Sequence, residues 1–274
     1  MTGTIRASPS FPKNQYIIYV GGNGCSNPQG SCNENVGFSE LMLDCQQVCA
    51  GCLSIQSTMG ANVGPRTFML GFNENGILIY GGHEVMIHET WLGEYLYSNP
   101  LSHQPNLTAT AINIAGNDHF VTNTIVFSSQ VGVAVNGAAN LLTGVHTWNN
   151  AETLGGIGIF IDDPGYTQNR LVGCYLDYNS LVAVDPAELV ITDGFFLCGG
   201  NIVIRASGAG NIAGLSIIGN EFAECNNDTI IFDERNGQFS GVYDIYVAGN
   251  MATSGYLLKS TQASASLYQV SLRL

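Results

Sequence analysis

The feature that most constrains this chain is a recurrence of short apolar stripes. Ile112-Asn113-Ile114, Ile125-Val126-Phe127, Val131-Gly132-Val133-Ala134-Val135, Val145-His146-Thr147-Trp148 and Ile157-Gly158-Ile159-Phe160-Ile161 follow one another with Gly and Asn between them. Stripes this short, β-branched and bordered by turn residues read as strands, not helices. They also repeat: Ile112-Asn113-Ile114 returns as Val133-Ala134-Val135, 21 positions on. Such a period belongs to stacked architectures. A unit of two or three short strands cannot bury its apolar face alone, but units stacked end to end bury a continuous interior.

The alignment extends. Gly82-His83-Glu84-Val85-Met86-Ile87-His88-Glu89-Thr90-Trp91 matches Gly116-Asn117-Asp118-His119-Phe120-Val121-Thr122-Asn123-Thr124-Ile125 at an offset of 34, the extra length lying in an insertion at Tyr95–Thr108. Anchors Ile125, Trp148, Leu176, Phe222 and Ala252 continue the series, and the 46-residue gap before Phe222 holds a further unit around Phe195-Phe196. The expectation is an all-β, right-handed parallel β-helix of about eight or nine coils, with rungs roughly 4.8 Å apart. A propeller is the rival, but its four-stranded blades need longer units. Residues 1–35 read as a loop-rich segment around one strand, Tyr16 to Val20, and residues 36–274 as the helix domain.

Composition narrows the partners. Only 11% of residues are charged and 45% are hydrophobic, unlike a disordered chain. Lys and Arg total 8 against a net charge of −13, so nucleic acid is not an expected partner. No apolar run reaches membrane-spanning length, and no hydrophobic leader is visible in residues 1–25. Eight cysteines and the sequons at Asn106 and Asn227 favour a secreted glycoprotein. The spacing of Cys45, Cys49 and Cys52 also occurs in iron–sulfur enzymes, but the βα context of such a cluster is missing, so disulfides or buried thiols are expected there, with Cys25 and Cys32 nearby.

The strings Gly81–Tyr95, Ala109–Ser128, Gly137–Asn150 and Gly165–Tyr178 resemble the quartet-type polygalacturonases of the pectin-lyase-like superfamily, and the resemblance runs from about residue 36 to 260. It implies the right-handed β-helix and action on a polysaccharide of pectic type. Superfamily members often begin with an Asp-Phe-Gly-Ala-type segment and a capping helix. Neither precedes Thr2-Gly3-Thr4, so the chain reads as starting part-way into a longer protein. Residues 1–35, a second polypeptide or self-association are expected to cover the first rung. Of the ordinary polygalacturonase motifs, Asn-Thr-Asp, Gly-His-Gly and Arg-x-Lys are absent, and Asp162-Asp163 stands without its companions.

Glycoside hydrolysis needs two carboxyl groups facing one groove. Glu84 and Asp118 hold the same aligned position on adjacent coils, flanked by His83 and His119. A turn acid that satisfies local backbone donors is the structural alternative. Asp162 and Asp163 form a second acidic candidate, or an Asp-Pro-Gly turn. Arg170 and Arg205 could hold a uronate carboxylate, or pair with nearby acids. His146 aligns with Asn123 and Glu89 and reads as part of an inward polar stack, while Thr90, Thr124 and Thr147 read as an outward file. No zinc spacing exists, calcium ligation is unsupported, and no cofactor is expected. Lysine is limited to Lys13 and Lys259, which favours hydrolysis over elimination. A catalytically degenerate carbohydrate-binding or structural module is the alternative. Finally, the shared Phe-x-x-Cys spacing of Cys198 and Cys225 predicts a disulfide between adjacent coils.

Overall fold

The computed structural model describes residues 3–21, 33–95, 107–148, 156–162, 167–208, 210–224, 228–253, 258–261 and 270–273. Among these there is no helix. The described residues build three sheets of ten strands each and two small two-stranded sheets, and every pairing is parallel. Sheet I starts at Gly3–Arg6 and includes Thr90–Gly93, Ile125–Ser128 and Tyr175–Asp177. Sheet II starts at Tyr16–Val20 and includes Thr110–Ala115, Val131–Val135 and Ile157–Asp162. Sheet III includes Met86–His88, Phe120–Thr122, Leu141–Thr143 and Arg170–Val172. The chain visits I, II and III in turn, which makes a right-handed parallel β-helix. The sheets are deeper than the eight or nine coils expected. Gly3–Arg6 pairs with Leu41–Asp44 and Tyr16–Val20 pairs with Gly51–Gln56, so the loop-rich first segment contributes rungs of its own.

The register follows the repeat. Ile112 and Ile114 lie over Val133 and Val135, and these over Ile159 and Ile161. All six are buried, because alternate residues of a strand face the same side. Each such side chain taken from water contributes roughly 1.5–3 kcal/mol. Sheet III supplies one inward residue per strand, Ile87, Val121, Leu142 and Leu171 among them, and sheet I supplies Leu92, Val126, Leu176 and Phe196.

Strands of three residues must turn at the same place on every coil, and at the corners on either side of sheet III one left-handed residue does this. Entering sheet I, the series is Glu40, Arg66, Glu89, Asn123, Gly144, Gly173, Asp193, Gly219 and Gly249, all at positive φ. Glycine meets this need without strain, and Asn or Asp at small cost. The residue after it points inward. There Thr90 and Thr124 are fully buried with their hydroxyls 3.1 Å apart, so the threonine file faces the interior and not solvent. Thr147 is also buried, but in another column, opposite Val126 and Leu176.

Asparagines close two of these corners. Asn220 Nδ2 donates to Ile191 O, and Asn250 Nδ2 to Ile217 O, while Asn220 Oδ1 accepts from Gly194 N. At the corner between sheets II and III, Asn140 Oδ1 accepts from His119 N at 3.0 Å and its Nδ2 donates to Gly116 O at 3.1 Å. Asn169 Oδ1 accepts from Asn140 N at 3.0 Å. Replacing Asn140 with Leu keeps the volume but orphans the His119 N–H and the Gly116 carbonyl. Urea unfolding of Asn140→Leu is expected to show a loss of about 2–6 kcal/mol, at about 1–3 per orphaned group.

Candidate active site at the corner between sheets II and III

The corner that leads from sheet II into sheet III gathers most of the predicted site. Its left-handed position is filled by Glu84, Asp118, Ala139, Gln168, Glu188, Gly214 and Asp244 on successive coils. Glu84 and Asp118 therefore stack one rung apart, and Glu84 N donates to Asp118 O at 3.2 Å. Glu84 is exposed and the Asp118 side chain is half exposed. Their left-handed backbone is a property of every coil, since Ala139 and Gln168 share it, and is not by itself a mark of function. His83 precedes Glu84 and pairs in backbone register with Met59 of the coil before. Its Nδ1 lies 3.3 Å from Asp118 Oδ2, so a histidine of one coil reaches the acid of the next. The result is two solvent-facing carboxyl groups and an imidazole on one ridge.

His119 is not part of that surface. It is fully buried, and its Nδ1 accepts the Val85 N–H at 3.2 Å, which leaves the neutral ring's proton on Nε2. Burial pushes its pKa down to about 4, helped by the charge of His83 and opposed by Asp118. The expected substrate-binding role is thus replaced by an interior one, in the same column as Asn140 and Asn169. The inward direction comes from position: His119 follows the left-handed residue and Glu84 and Asp118 occupy it.

Arg170 opens a strand of sheet III two rungs beyond Phe120, with Leu141 between. It is exposed and lines an open depression of about 570 Å³ with Phe120, Gln168 and Glu188. The depression continues the ridge of Glu84 and Asp118 along the coil stack. Gln168 and Glu188 were not singled out from sequence, although their place after the sheet II strands was a usable signal.

Asp162 and Arg205 are the last residues of sheet II strands, ahead of that corner. Asp162 is exposed and lies opposite Val184, which lies opposite Arg205. Arg205 Nε is 3.8 Å from Asp233 Oδ2, and Asp233 is buried under two hydrogen bonds from Arg235. The Arg235 hydrogen bonds hold the Asp233 carboxyl below its usual range, with Arg205 adding to the effect. Arg205 thus faces a structural acid. Asp163, Asn106, Asn227 and Cys225 lie outside the described residues.

Two alignments shift. His146 lies opposite Ile125, two residues from the register assumed for it, and faces outward. It stacks on Tyr175 with ring centroids 4.3 Å apart, and its Nε2 is 3.5 Å from Asp177. Cys198 is a half-buried thiol, and Cys225, the partner expected for it, lies outside the described residues. Phe196, not Phe195, lies opposite Phe222, with their rings stacked at 4.8 Å. That one-residue slip sets Cys198 beside Glu224, whose Oε2 accepts from its Sγ at 3.3 Å. Cys174, in its own column, is a buried thiol raised by desolvation to about 11.

Over 268 residues, 97% of its length, the chain is 37% identical to polygalacturonase QRT3 of Arabidopsis thaliana. The chain is thus similar to a polygalacturonase along almost all of its own length. It spans about half of that curated relative, the match covering 54% of it. No protein-family profile matches the chain, and no solved structure matches it. The 268 aligned residues take in nearly the whole coil stack.

The His119 pKa carries a pH signature. Its folded value lies below the ordinary 6.5, so the unfolded chain binds the extra proton between the two values. Its stabilisation is complete above 6.5, is lost as pH falls towards about 4, and is flat below that. His119→Asn should flatten this limb of a melting-temperature-against-pH curve relative to the unsubstituted chain.

Proposed function

We propose that this chain is the β-helix of a polysaccharide-degrading glycoside hydrolase that acts outside the cell on a pectin-like substrate. The observation that carries the reading is its identity to a protein named polygalacturonase across 97% of the chain. The site geometry supports it. Glu84 and Asp118 hold the same position one rung apart on an exposed ridge and supply the two carboxyl groups that glycoside hydrolysis uses. His83 holds Asp118 in place through Nδ1. Arg170, in the adjoining depression, supplies a guanidinium for the carboxylate of a uronic acid. No helix among the described residues is long and apolar enough to cross a membrane.

The net charge of −13 repels a polyanion at neutral pH, so turnover should rise as the carboxylates of enzyme and substrate protonate. A panel of plant, fungal and algal polysaccharides tests the reaction. New reducing ends without ultraviolet-absorbing products mark hydrolysis, and unsaturated products mark elimination.

A second reading, a binding module without turnover, draws on the outer face of sheet I. Phe68, Trp91, His146, Tyr175 and Phe195 project outward there, with Phe68 on Trp91 and Tyr175 edge-on to Phe195 at 5.0 Å. Retained binding without products in the same panel would support it.

Glu84→Gln and Asp118→Asn are each expected to lower kcat by about 10²–10⁴-fold, the range of a general acid or base, with the melting temperature unchanged. Arg170→Ala is expected to raise KM several-fold on polygalacturonate and leave kcat nearly intact, since it binds ground and transition states alike.

A further inference from the structure

The interior of the second coil holds three fully buried cysteines, Cys45, Cys49 and Cys52. Cys45 follows the sheet I strand Leu41–Asp44, and Cys52 is the second residue of the sheet II strand Gly51–Gln56. A tight turn joins them, with Val48 N donating to Cys45 O at 2.9 Å. That turn folds the end of one strand against the start of the next. The Sγ atoms of Cys45 and Cys52 come within 2.9 Å of each other, closer than two unbonded sulfurs pack. Cys49 also meets the Cys45 thiol, which with burial pushes its own pKa upward, but its Sγ is directed at the Cys45 carbonyl at 3.6 Å. The other contacts of the Cys52 sulfur are backbone carbonyls at 3.7 Å, from Leu43 and Leu70, which are weak partners.

We propose that Cys45 and Cys52 form a disulfide that pins sheet I to sheet II inside the second coil, and that Cys49 remains a thiol. A covalent bond at about 2.04 Å needs the sulfurs to approach by less than about 1 Å. The oxidant is an external disulfide of the glutathione or oxidoreductase type. One protein thiolate attacks it, forms a mixed disulfide and releases one external thiol. The second protein thiolate then attacks the protein sulfur of that mixed disulfide and expels the other. Two electrons and two protons leave the cysteine pair, and one external disulfide becomes two thiols. Both sulfurs are shut off from solvent in the finished coil, so the exchange takes place before the coil closes. The inference does not depend on the hydrolase reading, only on folding in the presence of such an oxidant.

The test is differential alkylation of the full chain, folded in a glutathione redox buffer. The folded protein is denatured in guanidinium without reductant and blocked with iodoacetamide. It is then reduced, treated with N-ethylmaleimide, digested and sequenced by tandem mass spectrometry. Iodoacetamide is expected on Cys49, and maleimide on Cys45 and Cys52. Iodoacetamide on Cys45 or Cys52 overturns the proposal, as does a peptide in which either is linked to any other cysteine. Because the oxidant is supplied in the buffer, failure here counts against the geometry and leaves the cellular location and the activity untouched.

Discussion

Everything in this protein rests on the backbone ladder between successive coils. Strands of three residues have almost no local stability, and each is held by parallel pairing to the coils on either side. Pairing of that kind works only if every coil turns its corners in the same place. The left-handed residues at the corners flanking sheet III enforce this, and the price is that Glu, Ala and Gln adopt a backbone that costs them of order 1–3 kcal/mol. The cost is tolerated because the neighbouring coils over-determine the conformation through hydrogen bonds such as that from Glu84 N to Asp118 O.

The same ladder sorts side chains by function. A residue at the left-handed position points out, and the residue after it points in. Asp118 and His119 are neighbours in sequence, yet one lies on the proposed catalytic ridge and the other is a neutral imidazole in the interior. The interior column of His119, Asn140 and Asn169 braces the corner from below. A rigid corner is a suitable base for two carboxyl groups whose separation must hold to a fraction of an ångström.

Register errors explain what sequence reading missed. Coils vary in length through insertions such as Tyr95–Thr108, so the repeat read from sequence slips by a residue or two between anchors. A slip of one sets Cys198 beside Glu224, and a slip of two placed His146 inward when it faces out against Tyr175. Where the alignment had many fixed points, as from Gly82 to Ile125, the pairing of Trp91 with Ile125 and Met86 with Phe120 is the expected one.

The sequence by itself determined the architecture, because apolar alternation and Gly or Asn at regular intervals permit short parallel strands and little else. It also determined that Glu84 and Asp118 share a position on adjacent coils, since no gap separates their segments. Only the tertiary structure decided which polar residues face solvent and which face the core, because that depends on the corner geometry and not on residue type. It likewise decided the pairing of Arg205 with Asp233, the outward aromatic file on sheet I, and the approach of Cys45 to Cys52. Those contacts join coils or corners, and their distances follow from how the rungs stack.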